Sequence, residues 1–306
     1  MREPVWVKNQ LYIYPWAKNP VHDDDPVYRG CVPFCRSNLH YSDLSITNDP
    51  DMASYFYMGQ FNDTDSLHIN PEYYNGDFNH VADIEGDWLG SNVPHDWLKK
   101  YILCINGVKK DYRPFLKNII VRPTFSKLLM SLVKKKASYI PTYNRAFSFT
   151  GFPDPLGIRK SMIATVKHLG LSHYGHLTDK WKGASDSSED HGYMLGCMEA
   201  ATFSLCPRGT GVDSARYLES CFLGRFPIII GDNILFGNEY HLPFYIQIDP
   251  NDMEDGLADV SKMSIAEIDY YGKNSVRFFN EYVREYFRRP TQYFMEQLNE
   301  NSKYFG

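Results

Sequence analysis

Cysteine is scarce in this 306-residue chain: of Cys31, Cys35, Cys104, Cys197, Cys206 and Cys221, only the first two lie close together. That spacing rules out a disulfide framework and a zinc finger, and it points to a reducing compartment. Long apolar runs are missing as well. No stretch approaches the ~20 apolar residues that span a bilayer, and Met1-Arg2-Glu3-Pro4-Val5-Trp6 contains no apolar signal core. A soluble cytoplasmic protein, without stable membrane insertion, is the expectation. Positive charge is not in excess either. Thirty-two Lys and Arg against 37 Asp and Glu leave a net charge of -5, which excludes nucleic acid as an expected partner. The chain also lacks the Gly-Lys-Ser/Thr of a P-loop, the third glycine of the dinucleotide fingerprint and any Gly-x-Ser-x-Gly nucleophile elbow.

Aromatic residues, by contrast, are plentiful. The 23 Tyr, 19 Phe and 5 Trp offer flat faces, some with a polar handle, that fill a core or line a cleft. Apolar residues at 43% and charged residues at 23% match ordinary globular usage, so a long disordered chain is excluded. At about 100 to 200 residues per domain the length suits two domains or one large one, and it excludes fibres and short binding modules.

The first half alternates short apolar runs with loops. Strands are expected at Leu11–Tyr14, Tyr55–Met58, Tyr101–Ile105 and Asn118–Val121, with intervening segments long enough for the crossovers of a parallel sheet. A domain junction is expected near Lys134-Lys135-Lys136 and Pro141. Beyond it the α/β pattern restarts with a strand Ala146–Phe149, a turn Thr150-Gly151-Phe152-Pro153 and a helix from about Gly157 to Leu169. A polar loop 183–190 then leads into a helix from Tyr193 to Ala200. The most regular unit follows: strand Thr202–Cys206, turn Pro207-Arg208-Gly209-Thr210-Gly211, helix Ser214–Leu223 and strand Pro227–Ile230, a βαβ unit. From Ser264 the pattern is helical almost to the end, with a kink or break at Pro290.

That βαβ unit carries the sharpest chemistry. Gly209 and Gly211 let backbone approach a ligand closely, and Asp213 suits the cap of the next helix, whose free N–H groups favour an anion. Arg208, Ser214 and Arg216 add side-chain donors for a diphosphate. Glu219 shares a helix side with Arg216 and can accept both hydroxyls of a ribose, while Ala215, Leu218 and Phe222 make the opposite, apolar face. The plainer alternative is that Arg216 and Glu219 pair across one helical turn and the glycines only shape a turn. Farther upstream, Gly157-Ile158-Arg159-Lys160 puts two cations in the first turn of a helix, where the dipole disfavours them unless an anion lies nearby. If the strand Ala146–Phe149 lies beside Thr202–Cys206, both following turns open on one carboxyl edge, and Arg159, Arg208 and Arg216 can converge on one diphosphate.

The run Phe203-Ser204-Leu205-Cys206-Pro207-Arg208-Gly209, followed by Asp213-Ser214-Ala215-Arg216-Tyr217-Leu218-Glu219-Ser220 and Gly224-Arg225-Phe226-Pro227-Ile228-Ile229-Ile230-Gly231-Asp232, resembles the stretch of the exostosin family of glycosyltransferases that binds the nucleotide sugar. Upstream, Asp49-Pro50-Asp51 through Tyr57 and Phe149-Thr150-Gly151 with Arg159 are similar to two further segments of that family. The resemblance implies an α/β protein of GT-B architecture: two facing Rossmann-like domains, with C-terminal helices packing back toward the N-terminal one. The acceptor domain would be 1–138 with 275–306, and the nucleotide-sugar domain 139–274. It implies inverting transfer from a UDP-sugar co-substrate without a metal or other cofactor. Glu219 is assigned to the ribose, and Gly151, Arg159, Arg208, Gly209, Gly211, Asp213, Ser214 and Arg216 to the rest of the donor. The family's His-Asp-Trp-Gly region has no convincing counterpart, because Pro94-His95-Asp96-Trp97 precedes the third expected strand. No membrane anchor is seen in the sequence, so a viral or bacterial type fits better than a secretory one.

The reaction needs a base on the acceptor side. The candidates are Asp87, favoured by the neighbouring Gly86 and Trp88, then Asp24, His22 and Asp77; Tyr73, Tyr74 and Trp88 are the candidate acceptor aromatics for a glycan or glycoconjugate hydroxyl. Two rivals are weighed. A metal-dependent GT-A enzyme would use Asp63-Thr64-Asp65, with Asp23-Asp24-Asp25 as a second possible triplet. A carbohydrate-binding protein would keep the fold without turnover. His173 and His176 are expected on a loop near the nucleotide base, and Glu219 is expected to be dispensable for folding.

Overall fold

Apolar runs in both halves of the chain become parallel strands, and they gather into two larger sheets. The computed structural model describes residues 10–13, 45–48, 51, 53, 55–61, 80–84, 102–105, 108–109, 119–124, 126–154, 156–178, 188–208, 214–290, 292–294 and 296–297. Two compact units are distinguished, Met1–Arg122 with Tyr286–Gly306, and Pro123–Glu285. The lysine run 134–136 falls inside the second of these, just past a helix α1 (Lys127–Leu132).

The first unit contains β1 (Gln10–Ile13), β2 (Ser45–Thr47), β3 (Tyr55–Phe61), β4 (His80–Ile84), β5 (Ile102–Ile105), a two-residue β6 (Val108–Lys109) and β7 (Ile119–Val121). Six of them form a sheet in the order β2-β1-β3-β4-β5-β7, every neighbouring pair parallel. The four expected strands are all present, β3 running three residues longer than its apolar core suggested. Strands β2 and β4 escaped the sequence pattern, because Ser45-Ile46-Thr47 has one large apolar residue and β4 carries His80 and Asp83 within five positions. The register between β3 and β4 slips between Tyr57 and Gly59, the signature of a bulge.

The second unit places β8 (Phe147–Ser148), β9 (His173–Tyr174), β10 (Phe203–Pro207), β11 (Phe226–Ile230) and β13 (Ile246–Ile248) in the parallel order β13-β11-β10-β8-β9; the two-residue strand β12 (Asn233–Ile234) lies outside this sheet. All five residues of β10 and all five of β11 are buried, as befits central strands covered on both faces. Phe147, Phe203 and Phe226 are register partners across three adjacent strands, with ring centroids 4.9 and 5.8 Å apart. Each buried ring contributes about 1.5–3 kcal/mol relative to exposure.

Helix α2 (Ile158–His168) adds Met162, Ile163 and Val166 to this core. The next helix, α3, spans Ser188–Ala200 and so begins inside the stretch read as a loop; Glu189 and Asp190 suit a first turn, where the dipole favours acids. Helix α4 (Arg216–Phe222) crosses from β10 to β11. No helix was expected at α5 (Met253–Lys262), which carries Gly256 in its middle. A Cβ there would come within 2.7 Å of Ile248 Cγ2, so the glycine lets this helix lie close on β13. Helix α6 (Ile265–Phe278) starts with a reciprocal capping box between Ser264 and Glu267, then passes through a π-helical turn at Phe279–Val283 into α7 (Arg284–Arg288). Pro290 marks the expected break, with helical residues resuming beyond Arg289.

Candidate functional site

The condition set by the sequence is met: β8 and β10 are adjacent and parallel, pairing Phe147 with Phe203 and Ser148 with Ser204. The turns after β8, β10 and β11 therefore leave the sheet at one carboxyl edge, where open α/β sheets bind ligands.

Arg208 leaves the end of β10 with its backbone N–H donating to Ile230 O at 3.1 Å. Its Nη1 donates to Asp232 Oδ1 at 2.7 Å, and the side chain is only 10% exposed against 43% for Asp232. Nε of Arg208 is buried without a hydrogen-bond partner. At the neighbouring Gly231 a Cβ would come within 2.5 Å of Asn233 Oδ1, whereas its 3.5 Å from Arg208 Cδ would be ordinary contact. Asp232 was not among the site candidates, although its place directly after a strand on the same edge was a usable signal.

Helix α4 is shorter than expected, Arg216–Phe222 instead of Ser214–Leu223. Its N-cap is Ala215, which has no side-chain cap, and Ser214 Oγ accepts from Arg216 N at 3.4 Å. Nor is it the expected amphipathic helix with one apolar face. Residues 217–221 are all buried, because the helix is packed against β10, β11, α1 and α6 together. Glu219 is carried into the interior with them, its side chain 5% exposed.

The Glu219 carboxylate has one partner on each oxygen. Ser126 Oγ donates to Oε1 at 2.7 Å, and Arg216 Nε lies 3.6 Å from Oε2, too long for a hydrogen bond but close enough for an ion pair. Arg216 is mostly buried, and its Nη1 has no hydrogen-bond partner. The two charges are therefore near each other without closing into a fork. Both bear on Cys206, a free thiol pushed up to about 12 chiefly by burial and opposed by its Ser204 hydrogen bond and by Arg216. Arg216 and Glu219 stand on α4, which packs against β10. Glu219 also holds Ser126, the residue just before α1, so its replacement carries a stability cost. Removing one partner from a buried pair of charges costs about 3–5 kcal/mol.

Arg159 and Gly151 have local duties. Asp154 takes the backbone N–H of Ile158 at 3.2 Å and of Arg159 at 2.7 Å, so the anion that the two cations of α2 called for belongs to the chain itself. The Arg159 guanidinium donates to Phe152 O at 2.8 Å and lies 5.8 Å from the centre of the Phe149 ring. Gly151 extends the sheet: its N–H donates to His176 O and its C=O accepts from Thr178 N. A Cβ at Gly151 would meet Phe149 Cζ at 2.8 Å. His173 is a strand residue in β9, not a loop residue, and His176 Nδ1 is 3.3 Å from Tyr193 Oη.

Gly209, Gly211 and Asp213 lie outside the described residues. So do the candidate bases Asp87, Asp24, His22 and Asp77, the aromatics Tyr73, Tyr74 and Trp88, and the acidic pair Asp63 and Asp65. Among the described residues no cluster of three or more His, Cys, Asp or Glu could hold a metal ion, and no helix is long and apolar enough to cross a membrane. Asp154 and Ser126 were not anticipated. Asp154 had a signal, an acid just ahead of an uncapped cationic helix start; Ser126 had none, being 93 positions from Glu219.

No family model matches the chain, and neither does any curated protein, so the exostosin likeness remains a resemblance carried by residues 203–232. Among solved structures, the chain is similar to TarM at 11% identity and a TM-score of 0.37, over 72% of this chain and 55% of that one. A Staphylococcus aureus TarM mutant in complex with fondaparinux, alpha-GlcNAc-glycerol and UDP is similar at 12% identity and a TM-score of 0.38, over 73% and 55%. A glycosyltransferase from Rickettsia africae ESF-5 is similar at 10% identity and a TM-score of 0.42, over 95% and 98%. The chain thus spans about half the length of the TarM structures. Likenesses this loose fix neither fold nor activity, and what stands is an α/β chain with two parallel sheets and a charged carboxyl edge on the second.

Proposed function

We propose that this protein is a GT-B glycosyltransferase that moves a sugar from a UDP-sugar to a hydroxyl of a glycan or glycoconjugate, inverting the anomeric centre and using no metal. The observation that carries the reading is a pair of ionic contacts following one carboxyl edge: Arg208 with Asp232 at the end of β10, and the largely buried Arg216 with the buried Glu219 on α4. A nucleoside diphosphate matches that set chemically. Its phosphates supply acceptors for Arg208 Nε and Arg216 Nη1, each charge-assisted bond contributing about 1.5–3 kcal/mol. Its ribose diol supplies donors for the carboxylate. The resemblance of residues 203–232 to the exostosin stretch supports the same assignment.

In this reaction a base on the acceptor side takes the proton from the attacking hydroxyl as its oxygen bonds to the anomeric carbon. The bond to the diphosphate breaks, and the leaving group departs with the electron pair. Arg208 and Arg216 stabilise the negative charge that builds on it, the work a divalent cation would otherwise do. Asp232 holds Arg208 by accepting from its Nη1. The base is sought among Asp87, Asp24, His22 and Asp77.

A panel of nucleotide sugars incubated with the protein in excess EDTA tests this. Release of UDP from one donor, abolished by Glu219→Gln, is the expected result. Turnover only after a divalent cation is restored would replace the reading with the metal-dependent one, and glycan binding without any turnover would leave a lectin.

A further inference from the structure

The Glu219 carboxylate is held by a residue that no local pattern would associate with it. Ser126 Oγ accepts from Leu129 N at 3.0 Å, serving as the N-cap of α1, and donates to Glu219 Oε1 at 2.7 Å. A hydroxyl has a single proton, and an ionised carboxylate can only accept, so the direction of that second bond is unambiguous. With its acceptor side used by the helix and its proton by Glu219, the Ser126 rotor is fixed at both ends. The backbone beneath Glu219 is equally constrained, since its helix is buried along residues 217–221. The other carboxylate oxygen is only loosely engaged, 3.6 Å from Arg216 Nε.

We infer that Ser126 is a positioning residue: it sets the plane of the Glu219 carboxylate so that the remaining lone pairs of both oxygens face a vicinal diol. The inference rests on the reading of Glu219 as the ribose-binding acid. Two hydroxyls on adjacent carbons require two acceptor sites in a defined plane, and a carboxylate free to rotate presents that plane only part of the time. Ser126 contacts neither the phosphates nor the reacting sugar in this scheme. Beyond capping α1, its influence on the ligand is confined to the ribose, which separates it from residues that merely stabilise the unit.

The test is calorimetric titration of the full-length protein with UDP and, separately, with inorganic pyrophosphate. Ser126→Ala removes both the cap and the donor. Ser126→Gly removes the donor but costs the helix start little, because glycine is a tolerated N-cap. Ser126→Thr restores both. Both hydroxyl-less variants are expected to bind UDP about tenfold more weakly, the loss of one hydrogen bond to a charged group, while pyrophosphate affinity stays within twofold and Ser126→Thr recovers UDP binding. UDP affinity unchanged in Ser126→Ala and Ser126→Gly would overturn the inference and leave the donor site standing. Equal losses for UDP and pyrophosphate would also overturn it, in favour of a purely structural contact. If the wild-type protein binds pyrophosphate but gains nothing from the uridine, the assignment of Glu219 and this inference fall together.

Discussion

The two edges of the five-stranded sheet use buried arginine in opposite ways. At the amino edge Arg225 precedes β11, only 5% exposed, and its Nη1 donates to Ile140 O at 3.0 Å and to the Thr142 hydroxyl. Its partners are neutral groups on the segment leading into β8. Thr202 and Asn144 tie down the same segment, through Thr202 Oγ1 to Thr142 O and Asn144 Nδ2 to Ala200 O. Nearby, Tyr139 and Tyr143 both donate to Asp269 Oδ1, at 2.6 and 2.7 Å. At the carboxyl edge, charges are gathered instead: Arg208 with Asp232, and Arg216 with Glu219 at a separation too long for a hydrogen bond. Each of the three arginines keeps one N–H without a partner, so an orphan N–H alone does not mark a ligand site. What sets the carboxyl edge apart is a second guanidinium and an acid. One edge holds chain to chain; the other holds charge in readiness.

Three variants probe that contrast. The double variant Arg208→Ala, Arg216→Ala should weaken UDP binding by at least a hundredfold, two charge-assisted contacts being lost. Calorimetry that shows less than a tenfold change would break the contrast from the carboxyl side. Arg225→Ala should cost about 3 kcal/mol, because Ile140 O and Thr142 lose a buried partner, yet leave UDP affinity of the folded protein unaltered. Urea unfolding and the same titration check both halves of that statement. The smallest effect belongs to Asp269, whose carboxyl is held below its usual value chiefly by the Tyr139 and Tyr143 hydroxyls. A depressed folded-state value means its contribution is present above the unfolded carboxylate pKa of about 3.9 and is lost as pH falls through the lower folded value. Asp269→Asn should therefore lower the unfolding midpoint at pH 6 by more than at pH 3. Equal shifts at both values would show that the tyrosines do not act through the charge.

Legibility in the sequence followed the distance over which each interaction acts. The βαβ unit was readable within about two residues at every boundary, because Phe203–Pro207, interrupted only by Ser204, and Phe226–Ile230 are apolar runs with a helix between them. Arg208, Arg216 and Glu219 came with it, all three within twelve positions of one another. Asp154 was within reach, four and five residues ahead of the N–H groups it caps, but the conflict of cations with the helix dipole was assigned to an outside anion. Strand β4 and helix α5 were hidden for a different reason. The neighbours of β4 override its polar residues, and Gly256 in α5 is explained only by the approach of Ile248.

By itself the order of residues determined that strands in the second unit would be parallel and covered, that the buried strand β10 would be followed within a few residues by a helix, and that Arg208, Arg216 and Glu219 would travel together. These are consequences of side-chain period and of spacing along one helix, which need no partner. Only the tertiary structure decided that Glu219 would be buried, that Asp232 would take Arg208, and that Ser126, 93 residues away, would hold the carboxylate. Hydrogen bonds between distant segments depend on which elements pack together, and packing is settled by the whole core at once.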